Sequence, residues 1–345
     1  MSPSKLIIPP GASPAAIVAT FRRHYVETPR DRNVRHVLNT LLARDDEGRY
    51  LPVPARFGTE CETHGMIVIG ESGAGKTTTL AHNLRAHPAF ADCADIAGGP
   101  DRVGPVLKLD VPSPTTLKTL GLKILEKTMY DDVARSRTEA EVWELVRQRL
   151  SICRVCILWL DEAQDVMRSG SEAEVTKICN TLKTLCKGDH AVVVILSGIE
   201  TLATLPKFDP QIDSRFSKLW LDEVSPGSDA KGIWRLLKTY CAAAGLETPP
   251  RGDLIQRLFH SCRNRLGKSI ERIVDAIELA LYNGDTALTI DHFAQAYALK
   301  EGCRSNRNIF LVDKWASIST ERTENPEELF PRKKRRKSSA RQGAA

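Results

Sequence analysis

Gly70-Glu71-Ser72-Gly73-Ala74-Gly75-Lys76-Thr77 is a complete GxxxxGK[ST] turn, entered from the apolar run Met66-Ile67-Val68-Ile69 and left through a helical stretch over residues 78–85. That setting gives the turn its chemistry. Its glycines let the backbone curl so that successive N–H groups face one point at the positive end of a helix, which suits phosphate oxygens. Lys76 is placed to neutralise β- and γ-phosphates, and the Thr77 hydroxyl to ligate a divalent cation. The candidate cofactors are ATP and Mg²⁺, with Gly70 through Thr77 and the following Thr78 as the binding segment.

Working outward, short β-branched runs alternate with helical stretches. Strands are expected over residues 66–69, 106–111, 155–160, 191–196 and 218–224, and helices start near Lys76, Thr115, Thr138 and Ala173. Thr138 with Glu141 is a capping box. This alternation predicts an α/β domain with a parallel five-stranded sheet covered on both faces. The third run, Val155-Cys156-Ile157-Leu158-Trp159-Leu160, ends in Asp161-Glu162, where α/β sheets bind ligands. Asp161 is the candidate Mg²⁺ partner and Glu162 the candidate general base for an attacking water. Ser197 ends the next run and is placed between that water and a γ-phosphate. Arg215 precedes the fifth strand, and two readings stand: a finger presented to a neighbouring subunit's nucleotide, or a solvated Arg paired with Asp213.

Past Ser225-Pro226-Gly227 the pattern becomes helical, with Ile270, Ile273, Val274, Ile277 and Leu281 forming the stripe of a packed helix. Ahead of the sheet, one helical pattern carries Phe21 and Tyr25, a turn signal follows at Thr28-Pro29-Arg30-Asp31, and a second helix spans Val34, Leu38 and Leu41. The organisation expected is a helical lead-in over 1–64, the α/β domain over 65–225, a helical lid over 226–302 and an extension over 303–345.

In 345 residues, 42% hydrophobic and 27% charged, 49 Lys+Arg face 43 Asp+Glu. Residues 331–345 carry seven of the positive charges and no acid, so the net +6 belongs to the tail and the body before it stands at −1. A basic shell around the whole fold is therefore excluded, and any DNA path must be a local stripe. Residues 321–345, charged, Pro-containing and rich in Ser, Gln and Gly, are expected to lack a fold of their own until something binds them. The tail is read either as a phosphate-attracting segment or as a dock for an acidic or DNA-bound partner. No apolar run approaches the ~20 residues of a membrane helix, and the expected location is cytoplasmic. The nine cysteines are scattered; Cys153-Arg154-Val155-Cys156 matches CxxC but lacks a second ligand pair at zinc spacing.

These residues in this order resemble an AAA+ ATPase with a C-terminal helical lid. Three narrower stretches, Asp161-Glu162-Ala163-Gln164, Ser197-Gly198-Ile199-Glu200-Thr201-Leu202 and Asp209-Pro210-Gln211-Ile212-Asp213-Ser214-Arg215-Phe216, are similar to the bacterial transposition regulators TniB and TnsC. So are Pro105 to Pro112, the following Pro114-Thr115, and Thr28-Pro29-Arg30. The resemblance implies a slow, regulatory ATPase that oligomerises as a ring or filament on double-stranded target DNA. It also implies Arg215 acting in trans, and links to a transposase and to a target selector such as TniQ or a CRISPR-type effector, with no membrane. DNA contact is suggested for Thr115, Thr116, Lys118 and Lys123. The lid residue on the γ-phosphate, commonly an Arg, is assigned to Lys268, with Arg265 and Arg272 as competitors. Other readings are an AAA+ ATPase of secretion, replication initiation or protein remodelling, and a nucleotide-binding module that does not hydrolyse.

Overall fold

Alternation along the strands sets the layering. The computed structural model describes residues 2–3, 6–59, 61–93, 95–99, 102–113, 115–130, 136–167 and 171–320. Its central sheet has five strands: β1 (Gly65–Ile69), β2 (Val106–Asp110), β3 (Ile157–Asp161), β4 (Val193–Gly198) and β5 (Phe216–Trp220). They run in the order β5-β1-β4-β3-β2, and every pairing is parallel. Ile67, Ile69, Leu158, Leu160, Val194 and Leu196 pack on one face; Met66, Val68, Ile157, Trp159, Val193 and Ile195 pack on the other. With both faces covered, β1, β3 and β4 are buried along their whole length, which is why they read as unbroken apolar runs. β5, at the sheet edge, is mostly exposed.

One face is covered by α4 (Leu117–Lys127), α5 (Glu139–Ile152) and α6 (Glu172–Leu185), the other by α2 (Pro29–Leu41) and α3 (Lys76–Arg85). Capping boxes start α5 at Thr138/Glu141 and α6 at Ser171/Glu174. The fifth strand lies earlier than the expected 218–224, because pairing of Phe216 with Gly65 through Trp220 with Ile69 fixes its register. The Thr28–Asp31 signal is the start of α2, where Thr28 is the N-cap, Pro29 opens the helix and Asp31 closes a capping box. Tyr25 is not in the first helix, α1 (Pro14–Arg23), which stops before an extended Val26–Glu27.

A third core lies beyond the sheet. It joins α7 (Ala230–Ala244), α8 (Leu254–Ser261), α9 (Leu266–Asn283) and α10 (Ile290–Glu301). Two additions come from outside the expected lid: Ile17, Val18 and Phe21 of α1, with Phe21 stacked on Tyr240 at 4.4 Å, and Ile309 with Phe310 from the segment after α10. Residues 303–318 thus pack onto the helical unit, because Arg257 donates to the Ile309 and Val312 carbonyls and Asn308 to that of Ala294. The basic run Arg332 to Lys337 and Pro114 lie outside the described residues. No described helix is long and apolar enough to cross a membrane.

Candidate functional site

Sheet register brings the candidate residues together at the C-terminal strand ends. Ser197 pairs with Asp161 across β4 and β3, Asp110 pairs with Asp161 across β2 and β3, and Gly70 N–H donates to the Gly198 carbonyl at 3.1 Å. Gly73 and Gly75 take φ of +84° and +94°, values open to glycine. Gly75 caps α3, so the helix dipole ends at the turn. Lys76, 5% exposed, donates to the carbonyls of Gly70 at 2.8 Å and Glu71 at 3.2 Å. Burial depresses its ammonium, opposed by the charges of Glu162, Asp161 and Glu71.

Asp161 is the junction. Its Oδ2 accepts from the Thr77 hydroxyl at 2.7 Å and lies 3.1 Å from the Lys108 ammonium; its Oδ1 accepts from the Ser197 hydroxyl at 2.6 Å. Burial pushes the Asp161 carboxyl up, yet the hydrogen bonds from Ser197, Thr77 and Lys108 outweigh it and keep the acid below its ordinary range. Thr77 and Asp161 are hard oxygen donors converging within hydrogen-bond distance. That donor set suits Mg²⁺, which takes few protein ligands and completes its shell with water and phosphate. Ser197 differs from its expected place. It is fully buried, accepts from Trp159 Nε1 at 2.7 Å and spends its own proton on Asp161, so it orients the carboxylate and does not face open space. Glu162 is exposed at the turn after β3 with φ +54°, and Gln164 Nε2 donates to its Oε2 at 2.6 Å.

A cavity of about 530 Å³ opens beside the turn, between Tyr25, Val26 and Thr28 on one side, Thr78 and Thr79 at its floor, and Lys268 with Val274 of α9 on the other. The Tyr25 ring stacks on His82 with centroids 3.6 Å apart and its hydroxyl donates to Asp31. Asp31, fully buried, also accepts from Thr28 N at 2.7 Å and Asn83 Nδ2 at 2.6 Å, which ties this wall to α3. Burial raises the Asp31 carboxyl, but the bonds from Tyr25, Thr28 and Asn83 prevail and hold it low. A depressed acid contributes stability above the unfolded pKa of ~4 and loses it as pH falls through the folded value. Asp31→Ala is expected to cost about 3 kcal/mol at pH 7 by chemical denaturation, with the difference from wild type shrinking below about pH 4.

The lid is seated on the turn. A Cβ on Gly267 would lie 2.7 Å from the Gly73 carbonyl oxygen, and one on Gly73 would lie 2.9 Å from Lys268 Cγ. Arg265 reaches Glu71 at 3.1 Å. Arg272 donates to the Ala296 carbonyl, pairs with Glu301 and lies over the Tyr297 ring, and it lines a cavity together with Ser72, Arg265 and Lys268. Arg215 lies at the opposite, N-terminal end of the strands, before Phe216, whose partner Gly65 opens β1. It pairs with Glu62 at 2.7 Å; the Asp213 expected as its alternative partner binds Lys218 instead. Of the suggested DNA set, Thr115 is 3% exposed with its hydroxyl on Thr119, so burial removes it. Thr116 caps α4 and is exposed, Lys118 is half-buried and the exposed Lys123 pairs with Glu126.

Sequence reasoning missed Lys108 as a partner of Asp161, though it is the only charge inside the run Val106-Leu107-Lys108-Leu109. It also missed Tyr25, Val26 and Thr28 as a cavity wall; the last had a signal in its capping pattern.

A family model described as "Bacterial TniB protein" matches residues 56–226. Among solved structures, the chain is similar to the Aeropyrum pernix Orc1 protein in complex with DNA (17% identity, TM-score 0.52, 79% of this chain and 64% of that one). It is also similar to Cdc6p from Pyrobaculum aerophilum (13%, 0.55, 80% and 69%) and to the Aeropyrum pernix ORC2 protein in its ADPNP-ADP complexes (16%, 0.54, 81% and 70%). The chain thus spans a little under two thirds of the first, and at these identities the likeness shows the fold, that of an AAA+ P-loop ATPase. No curated protein matches the sequence.

Proposed function

We propose that this chain, which belongs to the TniB family of AAA+ ATPases, is an ATP-controlled regulator of transposition that assembles on target DNA and disassembles on hydrolysis. The observation that carries the reading is the split site. Phosphate turn, Thr77, Asp161, Glu162 and lid meet at the C-terminal ends of the strands, whereas Arg215 stands at their N-terminal ends, roughly 16 Å away by strand rise. Arg215 therefore cannot reach its own turn and is suited to a neighbour's, which makes a complete site a property of two copies.

Each residue then has a task. Lys76 and the N–H groups of the turn hold the β- and γ-phosphates. Thr77 and Asp161 would hold Mg²⁺, with Ser197 and Lys108 fixing the carboxylate, and a cation held there would supply charge neutralisation for the transferring phosphoryl. Glu162, fixed by Gln164, takes the proton of the attacking water. Lys268 and Arg265 couple the lid to the phosphates. Thr116, Lys118 and Lys123 on α4 are offered to the DNA backbone, which fits affinity without sequence reading. The transposase and a selector such as TniQ or a CRISPR-type effector are the proposed partners at the two ends of the assembly. Likeness to Orc and Cdc6 folds at 13–17% identity does not favour the replication alternative.

Electron microscopy of the full chain with duplex DNA and Mg²⁺ tests this. Rings or filaments are expected with ATP or a slowly hydrolysed analogue and not with ADP. A protein that stays monomeric with ATP and DNA, or assembles equally without nucleotide, overturns the reading.

A further inference from the structure

Lys108 is a charge set into an apolar strand. In the pairing of β2 with β3 it stands opposite Trp159, and Asp110 stands opposite Asp161, so the four side chains share one sheet face. The ammonium lies 4.9 Å from the centroid of the Trp159 ring, 2.7 Å from Asp110 Oδ1 and 3.1 Å from Asp161 Oδ2. Of the two Asp161 oxygens, Oδ1 accepts from Ser197 and from Glu162 N–H, and Oδ2 accepts from the Thr77 hydroxyl at 2.7 Å. Lys108 therefore neutralises the oxygen on the Thr77 side. A divalent cation approaching those two donors meets a positive charge already there.

The two acids beside Lys108 differ in exposure. The Asp161 side chain is 3% exposed and that of Asp110 is 74% exposed. A buried carboxylate is costly without a cation near it, and Lys108 supplies one. Asp110, on the same strand and in solvent, gives the ammonium a second acid, so loosening from Asp161 does not strip it of a counter-charge. Like charges a few ångströms apart in a partly buried site repel strongly, which weakens metal binding at Asp161 while Lys108 stays. The β- and γ-phosphates of a nucleotide on the turn add negative charge on the same side and offset that repulsion. Resting on the nucleotide-site reading above, we propose that Lys108 is a built-in counter-ion of Asp161 that makes uptake of a divalent metal conditional on nucleotide. Metal and nucleotide then strengthen each other's binding, and metal alone is refused.

The test is titration of the full chain with Mn²⁺, a substitute for Mg²⁺, followed by water-proton relaxation, which is enhanced when the ion is held on protein. Without nucleotide, Lys108→Met keeps the stem and removes the charge, and is expected to bind Mn²⁺ at least about tenfold more tightly than wild type. With saturating ADP the two are expected to agree within about threefold. Lys108→Arg, which retains the charge, is expected to follow wild type, and Asp161→Asn added to Lys108→Met to erase the gain. No gain in Lys108→Met, an equal gain in Lys108→Arg, a gain of the same size with ADP, or a gain that survives Asp161→Asn each overturns the counter-ion. Wild type that holds no Mn²⁺ even with ADP or a slowly hydrolysed ATP analogue would instead remove the metal site of Thr77 and Asp161 on which the proposal rests.

Discussion

Lys76→Ala is expected to weaken nucleotide binding by two orders of magnitude or more, about 3 kcal/mol, and with it to abolish ATP-dependent assembly on DNA. The ammonium sits at the throat of the turn, 2.8 Å from the Gly70 carbonyl and nearly buried. Lys108 does not replace it, being committed to Asp161 and Asp110, and Lys268 and Arg265 approach from the lid, not from the throat of the turn. Burial lowers the pKa of this ammonium, and the carboxylates of Glu162, Asp161 and Glu71 oppose that lowering. Lys76→Ala removes that charge and leaves the carboxylates facing an anionic ligand. Titration with a fluorescent ATP analogue measures the affinity, and microscopy of the same sample reports assembly. Wild-type affinity in this variant would show that phosphate is not bound at the turn; lost affinity with intact ATP-dependent assembly would separate assembly from this site.

What could be read beforehand follows the range of the interactions. The turn, its strand and its helix are contiguous, and glycine spacing, an apolar run and a helical pattern suffice to place them. The five-stranded parallel sheet was legible for a related reason: strands buried on both faces must be apolar at every position, and that leaves a mark in composition as well as in period. Contacts between distant segments left no comparable mark. Arg215 and Glu62 are 153 positions apart, and nothing local distinguishes Glu62 from a solvated acid. Thr115 and Thr116 look alike in sequence, yet one caps α4 in solvent while the other turns beneath it. The wall formed by Tyr25, Val26 and Thr28 exists because α1 packs on the lid while α2 packs on the sheet, so a short extended link is drawn across the turn. Ile309 and Phe310 had no periodicity to announce them; their burial depends on Arg257 and Asn308 binding the backbone of an irregular segment.

Glu162→Gln is expected to leave ATP and DNA binding near wild type while slowing phosphate release at least about 100-fold, so that complexes persist on DNA. The geometry makes this substitution clean. Gln164 Nε2 donates to Glu162 Oε2 at 2.6 Å, and the amide oxygen that takes the place of Oε2 can accept the same bond. Gln164 is in turn fixed through its Oε1, which accepts from Ile199 N–H at 3.3 Å. Side-chain position is thereby conserved and only basicity is lost. Phosphate release, with dissociation from labelled duplex after dilution into competitor DNA, gives the two readouts. Departure as fast as wild type despite slow turnover would mean that hydrolysis is not the timer of disassembly. A second substitution separates base from backbone. Glu162 occupies the left-handed region at φ +54°, a conformation costing a non-glycine residue about 1 kcal/mol. Glu162→Gly removes the same carboxylate but also that strain, whereas Glu162→Gln keeps it. If turnover falls equally in both while their stabilities differ, the loss belongs to the carboxylate; if only the glycine variant slows, the turn itself, through its hold on Asp161, sets the rate.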